Sequence, residues 1–229
     1  MAGNVGALPH ARTRPIAEVA YSRLYDLIIQ GKLLPGQKLT VKGLSEELGI
    51  SRTPVHDALL RLEADGLVVI EPRKGTYVSR LTRERVASIM DVRRALELLA
   101  CETAIQRMKS AEIRRLRRIN DDMRETVSGD RDPTVSERQH DALNREFHDV
   151  IVEASGNEVL LEIYEALKAH VMIARAHTGA PSWRTRVIRE CDEHDQIVEG
   201  FEKGDLAALR QALTEHLDRS KQSLVRDMW

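Results

Sequence analysis

The sequence predicts a mainly α-helical protein in two parts: three short helices and a hairpin, then an all-α antiparallel bundle of about six helices. Three observations carry this. Apolar residues recur at spacings of three and four along most of the chain, the period drops to two only between Leu67 and Arg80, and Gly, Pro and Ser interrupt the pattern where short connections would fall. A length of 229 residues suits two small domains, each able to bury a core.

Residues 1–15 mix Gly, Ala, Pro, Arg and Asn without periodicity and are expected to be a disordered arm. A first domain is expected over 16–80. Ile16, Ala20, Leu24, Leu27 and Ile28 share a helical face, Gly31 ends that helix, and Pro35-Gly36 makes a turn. A second helix over Val41 to Leu48 turns Leu44 and Leu48 inward, and Gly49 supplies the backbone for a tight turn. The third helix follows at once: Ser51 is placed to cap it, Pro54 is tolerated in its first turn, and Val55, Ala58, Leu59 and Leu62 form its buried stripe before Gly66. Leu67 to Glu71 and Thr76 to Arg80 then read as two short strands around the basic tip Pro72-Arg73-Lys74-Gly75. Helices in this order, with a tight Gly turn before the third and a hairpin after it, make a winged helix-turn-helix.

From about Thr82 every segment has helical period, with interruptions at Ser110, Gly129 to Pro133, Gly156-Asn157, Gly179 to Pro181 and Gly204. These give six helices over 83–229, most of them amphipathic and joined by short connections. The wing runs into the first of them at Leu81-Thr82-Arg83 with little linker.

Charge and composition narrow the function classes. Residues 1–80 carry 11 Lys and Arg against 8 Asp and Glu, a net of +3, and the remainder carries 24 against 28, a net of -4. The front therefore favours a polyanionic partner, although this bias alone does not establish DNA binding. No run approaches the roughly 18 apolar residues of a membrane span, and the first fifteen residues lack a secretory apolar core, so a cytoplasmic location is expected. Cys101 and Cys191 lack any C-x-x-C partner and are expected to be buried thiols.

A recognition helix needs donors in its first turns, because that end enters the major groove while the opposite face packs inward. Arg52, Thr53 and His56 meet this requirement: Arg52 can bond guanine bidentately, Thr53 can reach a base edge or phosphate, and the helix N-terminus with Ser51 attracts phosphate. Lys42, and Lys74 with Gly75 at the wing tip, are expected on the DNA backbone. The stretch LYDLIIQGKLLPGQKLTVKGLSEELGISRTPVHDALLRLEADGLVVIEPRKGTYV resembles the DNA-binding domain of the GntR family of regulators. Against that family's S-R-T-P-V-R-E-A-L, Arg52, Thr53 and Pro54 match while His56-Asp57 replaces Arg-Glu, and Lys42 stands where many members have Arg. A neutral His is a shorter and weaker partner than Arg, so operator preference is expected to differ.

Three histidines fall on stripes expected to face the bundle interior. His194 lies among Val187, Cys191, Val198 and Phe201; His216 among Leu206, Leu209, Leu213 and Leu217; His148 shares a face with Asn144 and Ile151. Converging imidazoles with an oxygen ligand suit zinc, nickel or manganese, while a lone interior histidine is an ordinary core residue. Residues 83–229 resemble the FCD effector domain of the FadR-like subgroup, whose D-x-x-x-H plus two later histidines correspond here to Asn144, His148, His194 and His216. The resemblance thus implies a divalent metal, zinc first, with Asn144 a weak or water-mediated fourth partner because its amide is neutral. With neutral ligands the ion keeps its double charge, and the resemblance points to a small organic carboxylate as effector. Arg93, in the RRALE stretch, matches the subgroup's R-x-x-L-E arginine: facing inward it can clamp a carboxylate bidentately, whereas facing outward, or paired with Glu97, it is structural. His170 and His177 default to core or pocket lining, and His10 and His140 carry no argument. Double-stranded DNA with a pseudo-palindromic operator, and a homodimer to supply two recognition helices, are the expected partners. A metal-dependent hydrolase and an effector-free architectural DNA-binding protein are the rivals, but no H-E-x-x-H, G-x-S-x-G, P-loop or dinucleotide fingerprint supports an enzyme.

Overall fold

The computed structural model describes residues 15–128, 133–176 and 183–228, which fall into two compact units divided between Arg80 and Leu81. The arm expected over residues 1–15 lies outside the described residues apart from Pro15, as do His10 and His177.

The first unit runs α1 (Ile16–Ile29), β1 (Lys38–Leu39), α2 (Val41–Leu48), α3 (Arg52–Ala64), β2 (Val68–Glu71) and β3 (Gly75–Val78). Ala20, Leu24 and Ile28 of α1 are buried, as are Val55, Ala58, Leu59 and Leu62 of α3, and the two helices pack together. Thr40 caps α2, its hydroxyl accepting from the Gly43 N–H at 3.1 Å. Gly49 closes α2 at φ 65°, a left-handed backbone that glycine adopts without steric cost.

The cap expected from Ser51 is corrected: the residue holds the N-cap position, but its side chain makes no capping bond. A cap hydroxyl accepts from the second or third helical N–H, and the third residue here is Pro54, which has none. A third strand joins the wing. β1 pairs antiparallel with β3, Lys38 opposite Tyr77 and Leu39 opposite Thr76, in the order β1-β3-β2. Two residues are too few to reveal a period of two. At the tip Arg73 has φ 66°, and a Cβ at Gly75 would stand 2.9 Å from Lys38 Cε, so a side chain there would displace β1's lysine.

The second unit contains the expected six helices among its described residues: α4 (Arg83–Arg107), α5 (Ser110–Glu125), α6 (Pro133–Ala154), α7 (Glu158–Ala176), α8 (Trp183–Lys203) and α9 (Leu206–Asp227). Thr82 caps α4 through the Arg85 N–H, and Asp205 caps α9 through the Ala208 N–H. α4 packs on α6, α7 and α9, while α8 lies against α5 and α9. Met123, Phe147, Ile151, Val187, Ile197, Leu209 and Leu213 share one core, with Cys101 and Cys191 buried in it. This packing turns the polar members of the α4, α6, α8 and α9 stripes toward a common interior. No helix among the described residues is long and apolar enough to cross a membrane.

Candidate DNA-reading surface and metal centre

Arg52, Thr53 and His56 stand exposed on the first turns of α3, opposite the stripe that packs inward. Lys42 is exposed on α2, 4.0 Å from Glu46, and Lys74 is exposed on the wing, 3.2 Å from Glu71. Exposed pairs of this kind contribute about 0–1 kcal/mol, too little to hold either lysine against a phosphate. The surface is therefore a set of unburied donors on a fixed helix beside a basic hairpin.

In the second unit His148, His194 and His216, from α6, α8 and α9, converge: one ring nitrogen of each lies within 4.8 Å of the others, and all three residues are buried. His148 Nδ1 bonds Glu97 Oε2 at 2.6 Å, and His216 Nδ1 bonds Glu193 Oε2 at 2.9 Å. A carboxylate only accepts, so each Nδ1 carries the proton and each Nε2 a lone pair. Those two Nε2 atoms face one another at 3.2 Å. Two lone pairs at that distance repel unless a cation lies against both. A tetrahedral zinc with Zn–N near 2.1 Å holds neighbouring nitrogens about 3.4 Å apart. His194 stacks on Phe147 with centroids 3.9 Å apart, and neither of its buried ring nitrogens has a hydrogen-bond partner. Unsatisfied buried nitrogens are costly, and a metal would satisfy one here. The residues present fit a divalent metal.

Burial pushes His148 and His216 down to about 4, and pushes His194 well below the usual range with help from the two neighbouring imidazoles. All three are neutral at physiological pH, the form that ligates. Glu97 is opposed by burial but held down to about 2 by His148 and Arg93. Glu97 thus stays charged, and the bonds from Glu97 and Glu193 fix the orientations of the His148 and His216 rings, as carboxylate–histidine–metal arrangements require.

Asn144 is buried one turn before His148, with its amide against Arg175. With the carbonyl oxygen turned to that guanidinium, it accepts from Nη2 at 2.9 Å and Nη1 at 3.1 Å. Arg93 is buried and paired with Glu97, the structural arrangement that the sequence offered as one alternative: Nε donates to Glu97 Oε1 at 2.6 Å and Nη2 to the Tyr164 hydroxyl at 3.3 Å. Beside it lies a cavity of about 20 Å³, room for about one water, lined by Arg93, Asn144, Tyr164, Lys168, Met172 and Arg175.

Sequence reasoning missed Glu193, Tyr164, Arg175 and the buried pair His140 Nε2 to Glu190 Oε2 at 2.9 Å. It had a signal for His140, which stands four residues before Asn144 and eight before His148 on the same helical stripe.

A winged helix-turn-helix followed by a helical unit built around buried imidazoles fits a DNA-binding transcription regulator. The chain belongs to the GntR family of bacterial regulators: the model of bacterial regulatory proteins, gntR family, matches residues 16–78, and that of the FCD domain matches residues 88–219. It is 29% identical to the HTH-type transcriptional regulator LutR of Bacillus subtilis, over 83% of this chain and 93% of that protein. It is 24% identical to the HTH-type transcriptional repressor RspR of Escherichia coli, over 93% and 90%. Among solved structures E. coli McbR/YncC has the same fold, with a TM-score of 0.79 at 22% identity, over 93% of this chain and 99% of that one. Both domains belong to regulators, so the hydrolase rival is set aside.

Proposed function

We propose that this regulator holds one divalent metal, zinc first and nickel or manganese next, on His148, His194 and His216. A small organic carboxylate then enters beside the metal and Arg93 and changes affinity for a pseudo-palindromic operator. The observation that carries the reading is the convergence of three neutral imidazoles, two with Nε2 atoms face to face and one with no partner at either nitrogen. A Zn²⁺ ion there would supply a Lewis-acidic positive charge that attracts an anionic ligand, for which the small cavity beside Arg93 would have to widen. Glu97 and Glu193 would hold the rings, and Asn144 would contribute at most through a water, since Arg175 engages its oxygen.

On the DNA side, Arg52, Thr53 and His56 would read base edges, while Ser51, Lys42, Lys74 and Gly75 would meet the backbone. The missing Ser51 cap supports this, because it leaves first-turn N–H groups of α3 without that acceptor. The protein would act as a homodimer, since one recognition helix reads only a few base pairs. Val92 and Leu99 on α4 and Val159 and Ile163 on α7 are exposed on two helices that pack together, and a second copy would cover them.

Elemental analysis of protein purified without chelator should find up to one metal per chain, and His194→Ala should abolish it. Absence of metal after zinc, nickel and manganese have each been supplied would leave the histidines as core residues.

A further inference from the structure

Resting on the metal reading above, we infer that Glu97 is the positioning residue of the metal centre and that Arg93 sets its strength. A cation at the imidazoles and an anion at Arg93 then each tighten the other's binding. The two oxygens of Glu97 serve different partners: Oε1 accepts from Arg93 Nε and Oε2 from His148 Nδ1, both at 2.6 Å. Glu97 is fully buried and Arg93 nearly so, so no water dilutes the sharing. Arg93 also lines the cavity. An unbroken line of contacts therefore runs from the cavity through Arg93 and Glu97 to His148.

In a low-dielectric interior, bonds in such a line polarise one another. A carboxylate divided between a guanidinium and an imidazole N–H gives each only part of its charge. When an anion draws the guanidinium away, more of the carboxylate's charge falls on the His148 Nδ1–H, and the lone pair at Nε2 becomes more basic. A cation on Nε2 acts in reverse: it makes Nδ1–H more acidic, draws Glu97 to His148, and loosens its hold on Arg93. Linkage requires both effects to have the same size.

An ordinary buried ion pair that only stabilises α4 gives a different expectation, because any break in it would weaken everything alike. The relay instead predicts opposite signs. In the full-length protein, with zinc affinity measured against a chromogenic chelator, Glu97→Gln should bind roughly tenfold to hundredfold more weakly. The visible absorption of its Co²⁺ form should shift as the His148 ring loosens. Arg93→Met should bind zinc more tightly than the parent, and Arg93→Lys, which keeps the charge, should stay close to it. Arg93→Gln loses the charge but still donates to Glu97, so it repeats the tightening should Arg93→Met fail to fold. Because Arg93 acts through Glu97, the double variant Arg93→Met with Glu97→Gln should match Glu97→Gln alone. Sodium acetate, the anion probe, should tighten zinc binding in the parent more than in Arg93→Met. Weaker zinc binding in both single variants, an Arg93 effect that persists without Glu97, or equal acetate effects would overturn the relay. Zinc that fails to bind the parent at all would instead remove the metal reading beneath it.

Discussion

At the residue scale, function rests on side chains whose partners differ sharply in kind. Arg52 stands in solvent on α3. Arg52→Ala should lose roughly 1–3 kcal/mol at a guanine contact and relax preference at that base pair. A gel-shift titration across single-base operator variants reads this, and uniform binding of parent and mutant to all of them would refute the assignment. Glu190 is the opposite case, a buried carboxylate held well below its usual 4.5: burial raises it, but the His140 bond and the Arg175 charge outweigh that. A depressed folded value means that the stabilisation is present above the unfolded value and is lost as pH falls through the folded one. Glu190→Gln should therefore be less stable than the parent at pH 7, and the gap should narrow progressively below pH 4.5. Urea unfolding at a series of pH values measures it. A gap constant down to pH 3 would show that Glu190 acts by packing alone.

At the element scale, the helices that carry the imidazoles are set by close approach as well as by apolar stripes. Gly200 in α8 crosses α9 so closely that a Cβ there would lie 2.8 Å from Leu209 Cβ and 2.9 Å from Leu209 Cα. Gly→Ala in a helix ordinarily gains about 0.5–1 kcal/mol, whereas overpacking a core costs about 1–3 kcal/mol. The contact is with backbone and the first side-chain carbon, which cannot swing aside. Gly200→Ala should then destabilise the protein, and thermal unfolding should show a lower Tm; a raised Tm would mean that α8 and α9 can part without loss. His194 and His216 lie on these two helices, so metal affinity should fall with it.

At the scale of the whole molecule, the modest positive balance of residues 1–80 against the negative balance of the remainder agrees with a DNA-binding role for the first part. Ile163→Asp, placed on the exposed α7 face, should shift sedimentation toward monomer and weaken operator binding with no change in zinc affinity. A dimer unaffected by this change and by Leu99→Asp would place the interface elsewhere. Operator titration with and without the most stabilising organic acid should show a change of about 5–150-fold, the usual range of allosteric coupling. Repeating it with Asn144→Asp and Arg93→Ala assigns that coupling. An acid that binds tightly but leaves operator affinity unchanged would leave only a DNA-binding protein.

The sequence by itself determined the fold class, the order of the helices and most of the faces they bury, because helical and strand periods are local properties of the chain, although Ile16 and Leu206, expected to face inward at their helix starts, are exposed. It also placed His148, His194 and His216 on inward stripes, and Arg52, Thr53 and His56 on an outward one. It did not show β1, whose two residues pair with β3, nor that Ser51 makes no capping bond at the start of α3, where Pro54 removes one of the two N–H groups a cap can use. Only the tertiary structure decided which inward groups meet: Glu97 with His148, Glu193 with His216, Arg175 with Asn144, and His140 with Glu190. The physical reason is that periodicity fixes a residue's angle about its own helix, whereas a contact between helices also depends on how each is rotated and shifted against its neighbour. Those two quantities are set by the packing of the whole core.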